Sequence, residues 1–140
     1  MVFMMIIYQF LYVYNIMHYI LESFIVGIFS AFIYLVFNLF ISNVFWLPFL
    51  IGFCKHLFGY LFLLQEYYCN YGCQNNTHYK KVKNNTLIIE CILEGFLFLV
   101  LSNLFLINNQ TIKYFSIGVF LHISSEYIGI HKYYCENRCV

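Results

Sequence analysis

Four stretches of this chain, residues 20–41, 47–68, 87–107 and 114–134, run with hardly a charged side chain. Each is about twenty residues long, and a helix of about that length crosses the hydrocarbon core of a bilayer. In water, such a chain has too little polar surface to cover a core. The whole sequence agrees, being 63% hydrophobic and 9% charged, with a mean hydropathy of +0.77. A soluble domain carries about a quarter charged residues. The expected fold class is all-α, an integral membrane bundle of about four transmembrane helices with the lipid bilayer as its main partner. The net charge of +1 gives no reason to expect nucleic acid or an acidic substrate.

The breaks between spans are short. Trp46 and Pro48 lie in SNVFWLPF, and NNQTIK separates the last two spans. The one long polar stretch is the basic loop 69–86. Residues 1–19 carry no Gly or Pro to mark a turn, so an interfacial helix, a fifth span and an extension of the first helix are all open. The chain divides into an N-terminal extension, 1–46, with an extra span at about 20–41, and a three-helix part, 47–140.

With four spans, the N-terminus, the 69–86 loop and the C-terminus share one side. That side holds Lys80, Lys81, Lys83, Lys132 and Arg138, against Lys113 on the other. The positive-inside rule turns it toward a cytoplasm or mitochondrial matrix. Phe, Tyr, Ile and Asn abound, while Ala31, Arg138 and Pro48 are each alone of their kind and Asp is absent. This matches an A/T-rich genome, such as that of an organelle or a large virus. The N-terminus shows neither a basic region with a small-residue cleavage site nor an Arg-rich transit peptide. That fits synthesis inside an organelle.

Charges inside the apolar runs are the chemical signal. At 1.5 Å per residue, Glu94 lies about 10 Å along its span from Leu87, and Glu126 about 12 Å back from Tyr134. Antiparallel neighbours would bring the two carboxylates to one level. Lys55, His56 and His122 fall deeper, and His122 and Glu126 are four apart on one helical face. Ser124 and Ser125 are candidate hydroxyl donors. A charge at such depth costs roughly 2.5–3.5 kcal/mol on insertion scales, so it is paired, hydrated or used. Burial disfavours the charged form of either sign, which suits proton exchange. Helix-gluing ion pairs are the plainer alternative.

A basic turn with Asn (KVKNN), a helix carrying LEG (Leu93, Glu94, Gly95), a short loop and a helix carrying SSEYIG together resemble the small membrane subunit of respiratory complex I. That is chain 4L of mitochondrial NADH–ubiquinone oxidoreductase, or subunit K of its bacterial counterpart. The resemblance covers about residues 47–134. It implies a three-helix proton-path subunit of a proton-pumping NADH:ubiquinone reductase in the mitochondrial inner membrane, organelle-encoded, with loop and C-terminus toward the matrix. Glu94 and Glu126 would be its proton-path carboxylates, with Glu90 a rival for the first site and Glu22 a weaker one nearer the surface. Lys55, His56 and His122 have no family counterpart and stand as candidate relay or ion-pair groups. The chain itself would bind no cofactor. NADH, FMN, iron–sulfur clusters and ubiquinone would sit elsewhere in the complex, and the partners would be other membrane-arm subunits.

Cysteines give a second reading. Cys69/Cys73 and Cys135/Cys139 form twin CxxxC pairs, each preceded one turn earlier by Gln65 or His131. A four-Cys zinc site or two disulfides would suit a free-standing four-helix membrane protein with a Cys/His metal or redox site; free thiols suit a reducing compartment. Offset by 66 residues, Gly52, His56, Tyr67, Tyr68, Cys69 and Cys73 recur as Gly118, His122, Tyr133, Tyr134, Cys135 and Cys139, which hints at a duplicated hairpin. The intramembrane carboxylates Glu94 and Glu126 do not share that offset. No protease, hydrolase or nucleotide-binding signature is present. Lacking GxxxG and poor in small residues, the helices should pack through aromatics. A structural membrane scaffold is the third reading.

Overall fold

The computed structural model describes residues 2–41, 45–62, 64, 86–130 and 133, with side chains from Tyr19 onward. These residues form an all-α structure of four helices, α1 (Val2–Asn38), α2 (Leu47–Leu61), α3 (Leu87–Leu104) and α4 (Gln110–Ile128). The question left open for residues 1–19 resolves as an extension: α1 is one unbroken helix of 37 residues. It is about 55 Å long at 1.5 Å per residue. Two stretches, Tyr19–Asn38 and Leu87–Leu104, are long and apolar enough to cross a bilayer, and α2 is a shorter apolar helix.

Local chemistry sets the ends. Pro48 sits in the first turn of α2, where its missing N–H is no loss. Asn109 caps α4 by accepting a hydrogen bond from the Ile112 amide at 3.2 Å. Gly129 closes α4 in the left-handed region, at φ 79°, which a side chain would resist. Gly129 thus interrupts the span expected to reach residue 134, half a turn after Glu126. Helical hydrogen bonding is again present beyond it, with the Tyr133 amide donating to the Gly129 carbonyl at 3.0 Å.

The helices pair as α2 with α3 and α1 with α4; α1 touches α2 less, and α3 meets α4 only sparsely. Both main pairs are antiparallel. Along α1 and α4, Glu22 faces His122, Ser30 faces Gly118 and Tyr34 stacks on Tyr114 at 4.8 Å, so numbers rise on one helix as they fall on the other. Ile33, Tyr34, Leu47, Ile51, Phe98, Tyr114 and Ile117 close the centre, with every helix contributing.

Small residues make both close crossings, contrary to the aromatic packing expected. A Cβ on Gly52 would lie 2.6 Å from the Glu94 carbonyl oxygen, and one on Gly118 would collide with the Ser30 hydroxyl. Gly95 and Gly27 face these crossings from the other side, against Phe49 and against Phe115 and Val119. Backbone approach of this kind is how helices associate where burial from water offers little driving force. Aromatic contacts such as Phe49 with Phe96, at 5.2 Å, fill in around the crossings.

Polarity is inverted relative to a protein folded in water. Leu21, Phe24, Ile28, Phe32, Leu93 and Phe96 are at least half exposed. Glu22 is 4% exposed, and Lys55, His56, Glu90, Glu94 and His122 turn toward helix interfaces.

Candidate functional site

Among the described residues, the inward-facing Glu and His side chains and Lys55 gather in two clusters, one in each helix pair. Between α2 and α3, Lys55 pairs with Glu94 Oε1. The other Glu94 oxygen, Oε2, lies 2.6 Å from His56 Nδ1, and His56 Nε2 lies 3.1 Å from Glu90 Oε2. Glu90 Oε1 accepts a hydrogen bond from the Thr86 hydroxyl at 2.7 Å. The result is one unbroken chain of polar contacts, Thr86–Glu90–His56–Glu94–Lys55. It runs inward from the exposed start of α3: side-chain exposure falls from 21% at Glu90 through 18% at His56 and 16% at Glu94 to 13% at Lys55. The Lys55 ammonium also lies 5.5 Å from the centre of the Phe98 ring, within cation–π range.

Helical spacing explains the assembly. Glu90 and Glu94 are one turn apart on α3, so both point at the same strip of α2. Lys55 and His56 follow Gly52 by about a turn, and the glycine lets α2 approach closely enough for both to reach across.

The chemistry of this chain is a matter of counting protons. Each His56 nitrogen faces a carboxylate oxygen, and each contact needs a hydrogen between its atoms. A neutral imidazole carries only one N–H. One further proton therefore belongs to the cluster, either on the ring or on a carboxyl. Moving it from one side of His56 to the other requires only small displacements.

The second cluster lies between α1 and α4. One ligand-capable atom from each of Glu22, His122 and Glu126 lies within 4.8 Å of the others. His122 Nε2 is 3.6 Å from Glu22 Oε2. The four-residue spacing of His122 and Glu126 puts both on one face of their helix, as read from the sequence, and that face meets α1.

Glu94 and Glu126 were expected side by side, and they are not. α3 packs on α2 and α4 on α1, so each carboxylate acquires partners from a different helix. Glu22, expected near the surface as a weaker rival, is the most buried carboxylate among the described residues, because α1 continues well before it. Ser125 does not point into a relay; its hydroxyl donates to the Leu121 carbonyl of its own helix at 2.7 Å. Cys69, Cys73, Cys135 and Cys139, with Gln65 and His131, lie outside the described residues. Cys54 and Cys91 are free thiols.

The 66-residue offset carried part of the sequence signal for the second cluster, and the spacing of its carboxylate carries the rest. Glu22 and Gly27 on α1 have the same spacing as Glu90 and Gly95 on α3, just as Gly52 and His56 on α2 recur as Gly118 and His122 on α4. Each helix pair thus joins an E-x4-G helix to a G-x3-H helix. In each, the histidine Nε2 faces the corresponding carboxylate, His56 to Glu90 and His122 to Glu22. The repeated carboxylates are Glu22 and Glu90, whereas the expectation compared Glu94 with Glu126. No known protein family, curated protein or solved structure matches the chain.

Proposed function

We propose that this chain is an integral membrane helical bundle that handles protons through the Glu90–His56–Glu94–Lys55 cluster. The observation that carries the reading is the histidine held between two carboxylates, on a polar path that starts at exposed Thr86. The apolar exterior around inward-facing charges supports the bilayer as solvent. Glu90 acts as the entry group, His56 as the shuttle and Glu94 as the inner acceptor, while Lys55 balances the carboxylate charge. Reconstitution into vesicles containing a pH-sensitive dye tests this. Wild-type protein should dissipate an imposed pH gradient, and His56→Phe should reduce the rate about tenfold or more, with the helices retained. Equal rates for the two proteins would dismiss the relay.

The finer form of the proposal is the small membrane subunit of complex I, in the mitochondrial inner membrane with other membrane-arm subunits as neighbours. Its support is the pair of segments LEG and SSEYIG and the inward-facing position of Glu94. Helix packing adds nothing to it, since Glu94 and Glu126 belong to different clusters, and Gly129 of SSEYIG serves as the α4 stop. Native-gel migration of the chain with NADH dehydrogenase activity is the expected result of this form. Migration as a small free species rejects it and leaves the proton reading to stand alone.

A further inference from the structure

We propose that the Lys55 ammonium has two seats, the Glu94 carboxylate and the face of the Phe98 ring, and that protonation of Glu94 hands it from the first to the second. Phe98 is then a positioning residue for proton transfer. That role rests on the proton-handling reading; the second seat itself does not. Both seats are within reach of one ammonium: Lys55 is paired with Glu94 and lies 5.5 Å from the ring centre, inside cation–π range. Glu94 and Phe98 are one turn apart on α3, so the ring lies a turn further from the exposed start of that helix. Phe98 is fully buried and the Lys55 side chain is 13% exposed, so an ammonium that loses its carboxylate has little water to turn to. The proton step balances as follows. A doubly protonated His56 gives its Nδ1 proton to Glu94 Oε2 across the 2.6 Å contact. His56 and Glu94 become neutral, Glu90 keeps its negative charge and Lys55 its positive one. Glu94 then offers Lys55 no anion. Among the described residues, the charged groups facing Glu94 are Lys55 and His56 of α2, with Glu90 beyond His56 and the thiols of Cys91 and Cys54 nearby.

Comparison of the two helix pairs supplies the second argument. In the α1/α4 pair, the positions that match Lys55, Glu94 and Phe98 are Leu121, Val26 and Ser30. The match is structural as well, because a Cβ on Gly52 would meet Phe98 just as one on Gly118 would meet Ser30. Val26 is buried, and Leu121 packs against the apolar core. The Ser30 hydroxyl turns back to the Val26 carbonyl of its own helix at 2.8 Å. Both pairs keep the glycines, the histidine and the carboxylate of the E-x4-G helix, so a crossing of this kind forms without the other three groups. Lysine, inner carboxylate and ring are present together in one pair and replaced together in the other. That is the pattern of three groups that work as one unit.

Fluorination of the ring provides the test, since it weakens the attraction for a cation while nearly preserving shape. Phenylalanine and its mono-, di- and trifluoro forms are placed at position 98 of the full-length chain, and melting is followed by circular dichroism in detergent. Three backgrounds are compared: wild type, Glu94→Gln as a carboxyl that stays neutral, and Lys55→Leu/Glu94→Val, which copies the α1/α4 pair. Melting temperature should fall with each fluorine in wild type, fall more steeply in Glu94→Gln, and stay level in the double variant. Glu94→Leu replaces Glu94→Gln if the latter loses its helices. A wild-type series no steeper than that of the double variant would show that the ring does not hold the ammonium. A neutral-carboxyl series no steeper than wild type would show that the ring is not where the ammonium goes; either result overturns the proposal. In vesicles, trifluorination should slow proton flux about threefold or more. An unchanged rate would remove Phe98 from proton transfer. Vesicles that pass no protons, beside a melting series as expected, would reject the relay and keep the second seat.

Discussion

At the scale of single residues, the Lys55–Glu94 pair carries the largest energetic consequence. Removing one partner strands the other charge between helices, and breaking a buried pair in this way costs roughly 3–5 kcal/mol. Glu94→Gln should therefore lower stability by about that amount in a reversible unfolding titration. Replacing both partners by Leu should be far milder, since an apolar pair of similar volume has no charge to desolvate. A double substitution as harmful as the single one would show that the pair is not the source of the cost. His56 behaves differently: His56→Phe leaves the Lys55–Glu94 contact in place, so its effect should fall on proton flux more than on stability.

At the scale of helices, the glycine crossings decide which helix meets which. Gly52 and Gly118 each sit where a Cβ would press on the partner helix. Gly118→Ala should cost about 1–3 kcal/mol by overpacking and push α1 from α4. The same change should widen the gap between Glu22 and His122. Gly52→Ala meets the Glu94 backbone rather than a side chain, which cannot swing aside, so its cost should be at least as large. Measured melting temperatures equal to wild type in both variants would mean that the crossings are looser than described.

At the scale of the whole molecule, outward-facing Leu, Ile and Phe and inward-facing charges are the pattern that the proposed bilayer setting requires. The chain should stay in the membrane pellet after alkaline carbonate extraction and require detergent for release. Recovery in the aqueous fraction would refute the bilayer reading. The two helix pairs share one plan, E-x4-G against G-x3-H, so the bundle is built as two like halves that differ where α2 carries Lys55 and α4 carries Leu121 at the matching position.

The helices themselves could be read directly. Long apolar runs, Pro48 at a helix start and the polar breaks place the end of α1 and the starts of α2, α3 and α4 to within a few residues, whereas α1 begins far ahead of residue 20 and Gly129 interrupts α4. The residues that matter were also visible, because a charge inside such a run costs too much to be incidental. Partner choice was not visible. An isolated amphipathic period tells which face a carboxylate lies on, but α3 and α4, adjacent in sequence, turn to α2 and α1, and that choice rests on where the glycines allow backbones to touch. The local rules of helix length and insertion cost depend on each segment alone, so they are written along the chain. Pairing Glu94 with Lys55 and Glu22 with His122 depends on which surfaces fit, a property of segments taken together, and only the folded arrangement settles it.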